Sequence, residues 1–209
     1  MNQKKSHYNY SRRHDILGLI PKDVIYVLSV GCGSGVTEAE LVKRNIEVTG
    51  IEIEPQAAEL ARKNGITVLE GDVLEIDVSQ IGHSFDCLIY ADVLEHLIDP
   101  VNVLRNHIKN LHSNGTVIVS VPNFRHYSIF WQLFIRGHLR YSDAGILDRT
   151  HVRITTRKMV LDWFKQIGLE PVGISYQMFL RRRKIISACL FGLAKDFIAP
   201  QIICVGRKP

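Results

Sequence analysis

VLSVGCGSG, residues 27–35, runs an apolar stretch directly into three closely spaced glycines. Val24 to Val30 is short, continuous and β-branched, the pattern of a strand buried on both faces. Glycines let the following turn be sharp and let the backbone approach a ligand closely. Residues 36–44 continue as a helix, whose free N–H groups face any anionic part of that ligand. The plainer alternative is a glycine turn joining a strand to a helix. The surroundings argue against it. Glu47 to Ile53 is a second strand, and Glu52 falls at its end, where a carboxylate can accept both hydroxyl hydrogens of a ribose. Pro55 then opens a helix as a first-turn proline.

The alternation continues outward. Strands are predicted at 66–69, 85–90 and 116–121, with helical material from 91 to Leu111 and a turn at Asn114-Gly115. A helix at 155–167, a strand at 170–176 and a last strand at 198–205 follow. A first helix at 6–20 precedes the series. Strands alternating with helices imply an α/β, Rossmann-like, doubly wound, mostly parallel sheet, here of seven strands. Residues 122–153 are aromatic, basic and aperiodic, and read as a cap inserted after the fifth strand, over the carboxyl ends where ligands bind. The organisation is a single domain, 1–209. It comprises an N-terminal helix (1–22), a cofactor-binding half (24–121), the cap (122–153) and C-terminal helices and strands (154–209).

The bulk properties are those of an ordinary globular chain. Of 209 residues, 46% are hydrophobic and 22% charged, enough for one full core and against disorder. The net charge of +5 is spread along the chain, densest at Lys4-Lys5, Arg12-Arg13 and Arg181 to Lys184. That suits an anionic substrate or a membrane surface and is too mild for sequence-specific nucleic-acid binding. Cys32, Cys87, Cys189 and Cys204 lie far apart, so neither a disulfide framework nor a CxxC zinc site is expected. No apolar run reaches the roughly 18 residues of a membrane span, and Met1 to Tyr10 is too polar for a secretory core. The cytoplasm is the expected compartment.

The glycine loop and Glu52 point to an adenosine cofactor. A dinucleotide fingerprint needs a sixth-position glycine, and Val36 stands there, which disfavours NAD. The joint set of VLSVGCGSG (27–35), IEIEP (51–55), EGDVLEI (70–76), SFDCLIYADVLEHLIDP (84–100) and NGTVIVSVPN (114–123) resembles the class I S-adenosylmethionine-dependent methyltransferases, in their order and spacing. LEHLIDP and SVPNFRHY are similar to the branch of methionine-biosynthesis-type and ubiquinone O-methyltransferases, and GILDRTHVRITT (145–156) to methyltransferases of surface-glycan clusters. The resemblance implies S-adenosylmethionine as cofactor. Gly31, Cys32, Gly33 and Gly35 would line its methionine half, Glu52 would hold the ribose, Ile53 would pack on the adenine, and Asp72 with Val73 would meet the adenine edge. Ala91, ending the fourth strand, completes the set. One departure stands out: the aspartate usual before the loop is absent, since Ser29 and Val30 occupy that place.

On the acceptor side His96 is the candidate general base, because imidazole titrates near neutrality. His151, in DRTHVR with Asp148, Arg149 and Arg153, is a second candidate, in a cluster that would bind a phosphate or sugar. The plainer alternatives are a helix-end histidine and a solvated charge network. Asp92, Glu95 and His96 form D-x-x-E-H, which would share one helical face and could ligate a divalent metal, as a similar E-x-x-E-H does in some methyltransferases. No fourth ligand is evident, so no metal is expected. Tyr127, Phe130, Trp131, Phe134 and Tyr141 would mostly form the core of the cap. The segment 181–197, basic and then apolar, would pack as a helix or touch a membrane surface weakly.

These residues favour a methyltransferase acting on a small polar acceptor, such as a sugar or lipid-linked glycan. A protein or RNA methyltransferase and a non-catalytic cofactor-binding regulatory partner are the alternatives. Amino-directed DNA enzymes are excluded, because Tyr90-Ala91-Asp92 stands where their N/D-P-P-Y would be. Cytosine C5 enzymes are excluded because none of the four cysteines follows a proline.

Overall fold

The computed structural model describes residues 12–178 and 195–209. Seven strands form one sheet: β1 (Tyr26–Val30), β2 (Glu47–Glu52), β3 (Thr67–Glu70), β4 (Phe85–Ala91), β5 (Leu111–Pro122), β6 (Glu170–Gln177) and β7 (Gln201–Arg207). Their spatial order is β3-β2-β1-β4-β5-β7-β6. The first five run parallel, and β7 lies antiparallel to both β5 and β6. The helices are α1 (His14–Leu17), α2 (Ala39–Val42), α3 (Pro55–Lys63), α4 (Pro100–His107), α5 (Tyr127–Phe130), α6 (Arg157–Gln166) and α7 (Lys195–Ile198). The expected doubly wound, mostly parallel seven-stranded sheet is present.

Side-chain alternation along each strand divides the core between the two faces of the sheet. Leu28, Val30, Leu88, Tyr90, Val117 and Val119 pack with Val103 and Leu104 of α4 and with Val160, Trp163 and Phe164 of α6. Val27, Cys87, Ile89, Ile118 and Ile203 pack on the other face with Ile16, Leu17, Leu41 and Ala61. The helices that seal these faces are started by local chemistry. Glu54 accepts from the Ala57 N–H with Pro55 at the first position, and Asp99 accepts from the Asn102 N–H ahead of Pro100. The strand order reverses between β1 and β4, which opens a crevice at their carboxyl ends.

Several boundaries differ from the sequence reading. β5 begins at Leu111, because Lys208 pairs with the turn: the Asn114 N–H donates to the Lys208 carbonyl and the Lys208 N–H to the Gly115 carbonyl. α2 is a single turn rather than a helix over 36–44, and Asn45 at φ 61° ends its trailing turn. The last strand starts after α7, at Gln201. Of the helix expected at 6–20, the described part is the one turn of α1; residues 1–11 lie outside the described residues.

The cap, 123–156, does insert between β5 and α6. Its root is buried: Asn123 donates to the carbonyls of Asp196 and Ala199, and Thr155 Oγ1 donates to the Pro122 carbonyl at 2.6 Å. The expectation that its aromatics form a core is wrong. Tyr127, Phe130, Trp131, Phe134 and Tyr141 are all more than half exposed, Phe134 by 68%. α5 continues into a wide π turn at Trp131–Ile135, a chain too short to fold over its own side chains, and only Ile129 of that stretch is buried.

Beneath the sheet, Tyr90 Oη and His107 Nδ1 meet at 2.8 Å, both side chains fully buried. Burial pushes the His107 imidazole down to about 4. The unfolded chain therefore takes up a proton near pH 6.5 that the folded chain refuses, so this contribution is complete above pH 6.5 and is lost as the pH falls toward 4. Urea unfolding across that window should lose about 2–3 kcal/mol from this residue alone. His107→Gln should flatten that part of the profile.

Candidate active site

The glycine loop lies at the strand-order reversal. Gly31, Gly33 and Gly35 all have positive φ, of 66°, 55° and 71°. At two of them the space is also taken: a Cβ on Gly31 would lie 2.4 Å from Val93 Cγ2, and one on Gly35 would lie 2.2 Å from Ile66 Cδ1. The loop is thus pressed between the chain after β4 and the chain before β3, with its backbone toward the crevice. The N–H groups of Gly31 and Cys32 both donate to the Ile51 carbonyl, at 2.8 and 3.2 Å. The Cys32 side chain turns away from the crevice into the core, against Gly50, and burial pushes its thiol far up. Cys32 can therefore line the loop with backbone only.

Glu52 ties this loop to β2. Its Oε2 accepts the Gly33 N–H at 2.7 Å and its Oε1 the Glu54 N–H at 2.9 Å. Each carboxylate oxygen has two acceptor sites, so one remains on each for a ribose hydroxyl. Just beyond, Ile53 is 65% exposed and offers an apolar surface. β2 and β3 pair in register, Glu52 opposite Glu70, which brings Asp72 and Val73 beside Ile53 at the same edge. Asp72 Oδ1 accepts the Leu74 N–H at 2.9 Å. Ala91 ends β4 half-buried at the floor of the crevice. These residues fit an adenosine bearing a methionine-like tail.

Two residues of this half escaped the sequence reading. Glu38 is the first: almost fully buried beneath the loop, it accepts the Ser29 hydroxyl at 2.7 Å. The carboxylate missing from strand position 29 is supplied from the turn that follows the loop. Burial pushes the Glu38 carboxyl up, opposed by the Ser29 bond. An acidic residue inside an otherwise apolar turn was the available signal. Arg13 is the second. Its guanidinium bonds Asp92 Oδ2 at 2.5 Å, Asp15 at 3.0 Å and Ser120 Oγ at 2.9 Å, at the carboxyl ends of β4 and β5.

The acceptor side rearranges the expected D-x-x-E-H set. Leu94–His96 is a 3-10 turn, not an α-helix, and Asp92 has φ 60°. Asp92 therefore faces Arg13, Ser120 and Gln201 instead of sharing a face with Glu95 and His96. His151 takes its place: the rings of His96 and His151 lie 4.9 Å apart, and His151 Nε2 stands 3.9 Å from Glu95 Oε1. The loop carrying His151 is hung on this turn, since the Glu95 carbonyl accepts the N–H groups of Val152 and Arg153. Burial, then the Asp92 charge, pushes the Glu95 carboxyl well up, and burial lowers His151. The anion cradle expected from Asp148, Arg149 and Arg153 does not assemble. Arg149 pairs with Asp143 in solvent, and Arg153 spends its guanidinium on the carbonyls of Leu97 and Ile98.

Comparison with known proteins places this geometry. The profile of the family described as methionine biosynthesis protein MetW matches residues 12–156, more than half of the chain. The chain belongs to the MetW family. Among curated relatives, a ubiquinone biosynthesis O-methyltransferase of Cereibacter sphaeroides is 24% identical over 171 residues, 79% of this chain and 68% of that protein. Among solved structures, an S-adenosylmethionine-dependent methyltransferase from Archaeoglobus fulgidus superposes with a TM-score of 0.68 at 16% identity, over 90% of this chain and 87% of that one. The N-methyltransferase NodS from Bradyrhizobium japonicum, in complex with S-adenosylhomocysteine, gives 0.58 at 17%, over 89% and 79%. The fold of this MetW-family chain is that of the class I S-adenosylmethionine-dependent methyltransferases. Among its described residues no helix is long and apolar enough to cross a membrane.

The Ser29–Glu38 pair makes a sharp test of how the loop is supported. Ser29→Asp sets a second carboxylate against a buried one, and should lower the unfolding free energy by about 2–4 kcal/mol in urea. Ser29→Asp with Glu38→Ser exchanges the two partners and should recover most of that loss. A double variant no better than the single would show that Glu38 does not supply the missing carboxylate.

Proposed function

We propose that this MetW-family chain transfers the methyl group of S-adenosylmethionine to a hydroxyl oxygen of a small polar acceptor, a sugar, lipid-linked glycan or related metabolite. The observation that carries the reading is the placement of two unlike half-sites at neighbouring strand ends. A glycine loop clamped by Glu52 lies after β1, and Glu95 and His96 lie after β4, where His151 of the cap joins them. Strands β1 and β4 are adjacent, which supports reading the two as halves of one site.

Bound S-adenosylmethionine supplies a methyl carbon already activated by its sulfonium. The chain's own work is to hold that carbon and the acceptor oxygen in line and to handle one proton. Gly31, Gly33 and Gly35 would admit the methionine half, Glu52 would take the ribose hydroxyls, and Asp72 would accept from the adenine amine. The acceptor's proton would leave at the histidine pair, His96 at the exposed rim and His151 behind it. His96 Nδ1 bonds the Thr150 carbonyl at 3.1 Å, which leaves Nε2 as the proton-accepting nitrogen. The resemblance of the relatives to O-directed enzymes supports oxygen as the acceptor atom. The reading includes a cytoplasmic site of action and no sequence-specific nucleic acid. A weak membrane contact through 181–197 belongs to it too, although 181–194 lies outside the described residues.

Calorimetric titration with S-adenosylmethionine, S-adenosylhomocysteine and NAD tests the cofactor half. The first two should bind and NAD should not, and Glu52→Ala should weaken binding by tenfold or more, about 1.4 kcal/mol or above. Labelled methyl groups should appear in a sugar or lipid fraction. His96→Ala should keep S-adenosylhomocysteine affinity and lose about 10²- to 10⁴-fold in transfer. Cofactor binding with no transfer to any fraction would favour a regulatory partner instead.

A further inference from the structure

Glu95 poses a problem that methyl-donor binding leaves unsolved. It is only 1% exposed, and neither of its carboxylate oxygens has a hydrogen-bond partner among the described residues. A buried carboxylate without partners is costly, and native structures hold such groups where something else completes them. The surroundings supply two nitrogens. One ligand atom each from Glu95, His96 and His151 lie within 4.8 Å of one another.

The orientation of both imidazoles is fixed from behind. His96 Nδ1 meets the Thr150 carbonyl at 3.1 Å, and His151 Nδ1 meets the Ile146 carbonyl at 3.1 Å. A carbonyl can only accept, so each Nδ1 carries the hydrogen and each Nε2 presents a lone pair. Histidines that ligate metals are held in this way, the far ring nitrogen donating to a backbone carbonyl. The loop bearing His151 is also bolted to the turn bearing Glu95, through the bonds from Val152 and Arg153 to the Glu95 carbonyl. The three groups therefore come as one preset unit.

We infer that Glu95, His96 and His151 form a binding site for one divalent transition-metal ion, of the Zn²⁺, Co²⁺ or Ni²⁺ class, with a coordination position left for an acceptor oxygen. Two imidazoles and one carboxylate suit borderline first-row ions, whereas Mg²⁺ prefers a shell of oxygens. Three protein ligands with an open position are the arrangement of catalytic rather than structural sites. Asp92 is not among the ligands, because Arg13 and Gln201 hold its carboxylate.

The inference rests on the methyl-transfer reading and changes its acid–base chemistry. An acceptor hydroxyl bound to the ion becomes more acidic and gives its proton to solvent water. Its oxygen then forms the new C–O bond while the methyl–sulfur bond breaks and sulfur keeps the pair. The imidazoles serve as ligands and not as the proton's destination. Loss of transfer in His96→Ala fits both descriptions, so metal binding itself must be measured.

The full chain, stripped with chelator and dialysed, is titrated with Co²⁺ and with Zn²⁺, and separately with Mg²⁺. One Co²⁺ per chain should bind with the visible ligand-field absorption of a nitrogen–oxygen site, Zn²⁺ should displace it, and Mg²⁺ should not. His96→Ala, at the exposed rim, and Glu95→Gln should each weaken Co²⁺ by at least about tenfold. S-adenosylhomocysteine affinity, measured on the same samples, reports whether each variant is folded. No Co²⁺ absorption, or absorption unchanged in both folded variants, would falsify the site. Full transfer by the stripped chain would sink its catalytic use while leaving the methyltransferase reading intact. Co²⁺ binding without any cofactor binding would do the reverse.

Discussion

The carboxylate of Glu52 holds together the part of the molecule on which the site depends. Three glycines at positive φ form a loop that, left to itself, has many conformations open to it. Glu52 limits them by accepting the Gly33 N–H from one side and the Glu54 N–H from the other. The first bond pins the loop to the end of β2, and the second sets the entry to α3. α3 in turn places Ala61 against Gly35, closing the loop from below. Backbone bonds from Gly31 and Cys32 to the Ile51 carbonyl complete the attachment. The loop is thus fixed by β2 more than by the strand it leaves, and the residue that would take the ribose is also the one that shapes the turn.

The charge arrangement beneath and beside that loop follows from the same economy. Ser29 leaves no carboxylate on β1, and Glu38 provides one from the opposite direction, capped by the Ser29 hydroxyl. Glu52 stands near enough to add to the upward push that burial exerts on the Glu38 carboxyl. Two acids close together in low-dielectric surroundings favour a cationic neighbour. A sulfonium or ammonium in the crevice would meet that demand. At the other end Arg13 answers Asp92 and Asp15.

The cofactor half was legible because its chemistry is written at short range. VLSVGCGSG shows strand and turn within nine residues, and Glu52 and Asp72 fall at or just past strand ends that hydrophobic patterning locates. The seven strands and their mostly parallel, doubly wound arrangement followed from the alternation of strands and helices. What stayed hidden depends on distance or on turn geometry. Ser29 read as a loss, since only burial shows that Glu38 faces it. Arg13 looked like surface charge, since its partner Asp92 lies 79 positions along the chain. D-x-x-E-H read as one helical face, but a 3-10 turn and the positive φ of Asp92 break that face. The aromatics of α5 read as core by composition, and solvent exposure contradicts them.

The attachment of the cap separates what can vary in this site from what cannot. Val152 and Arg153 are held by the backbone carbonyl of Glu95, not by its side chain, and Arg153 adds bonds to the carbonyls of Leu97 and Ile98. A change of side chain at position 95 or 96 therefore alters the chemistry of the cluster while the loop keeps its place. The exposed aromatics of α5 and its π turn follow a buried root at Asn123 and Thr155. Substitutions on the cap surface or at positions 95 and 96 can thus alter this side of the crevice while the glycine loop keeps its anchors at Ile51 and Glu52.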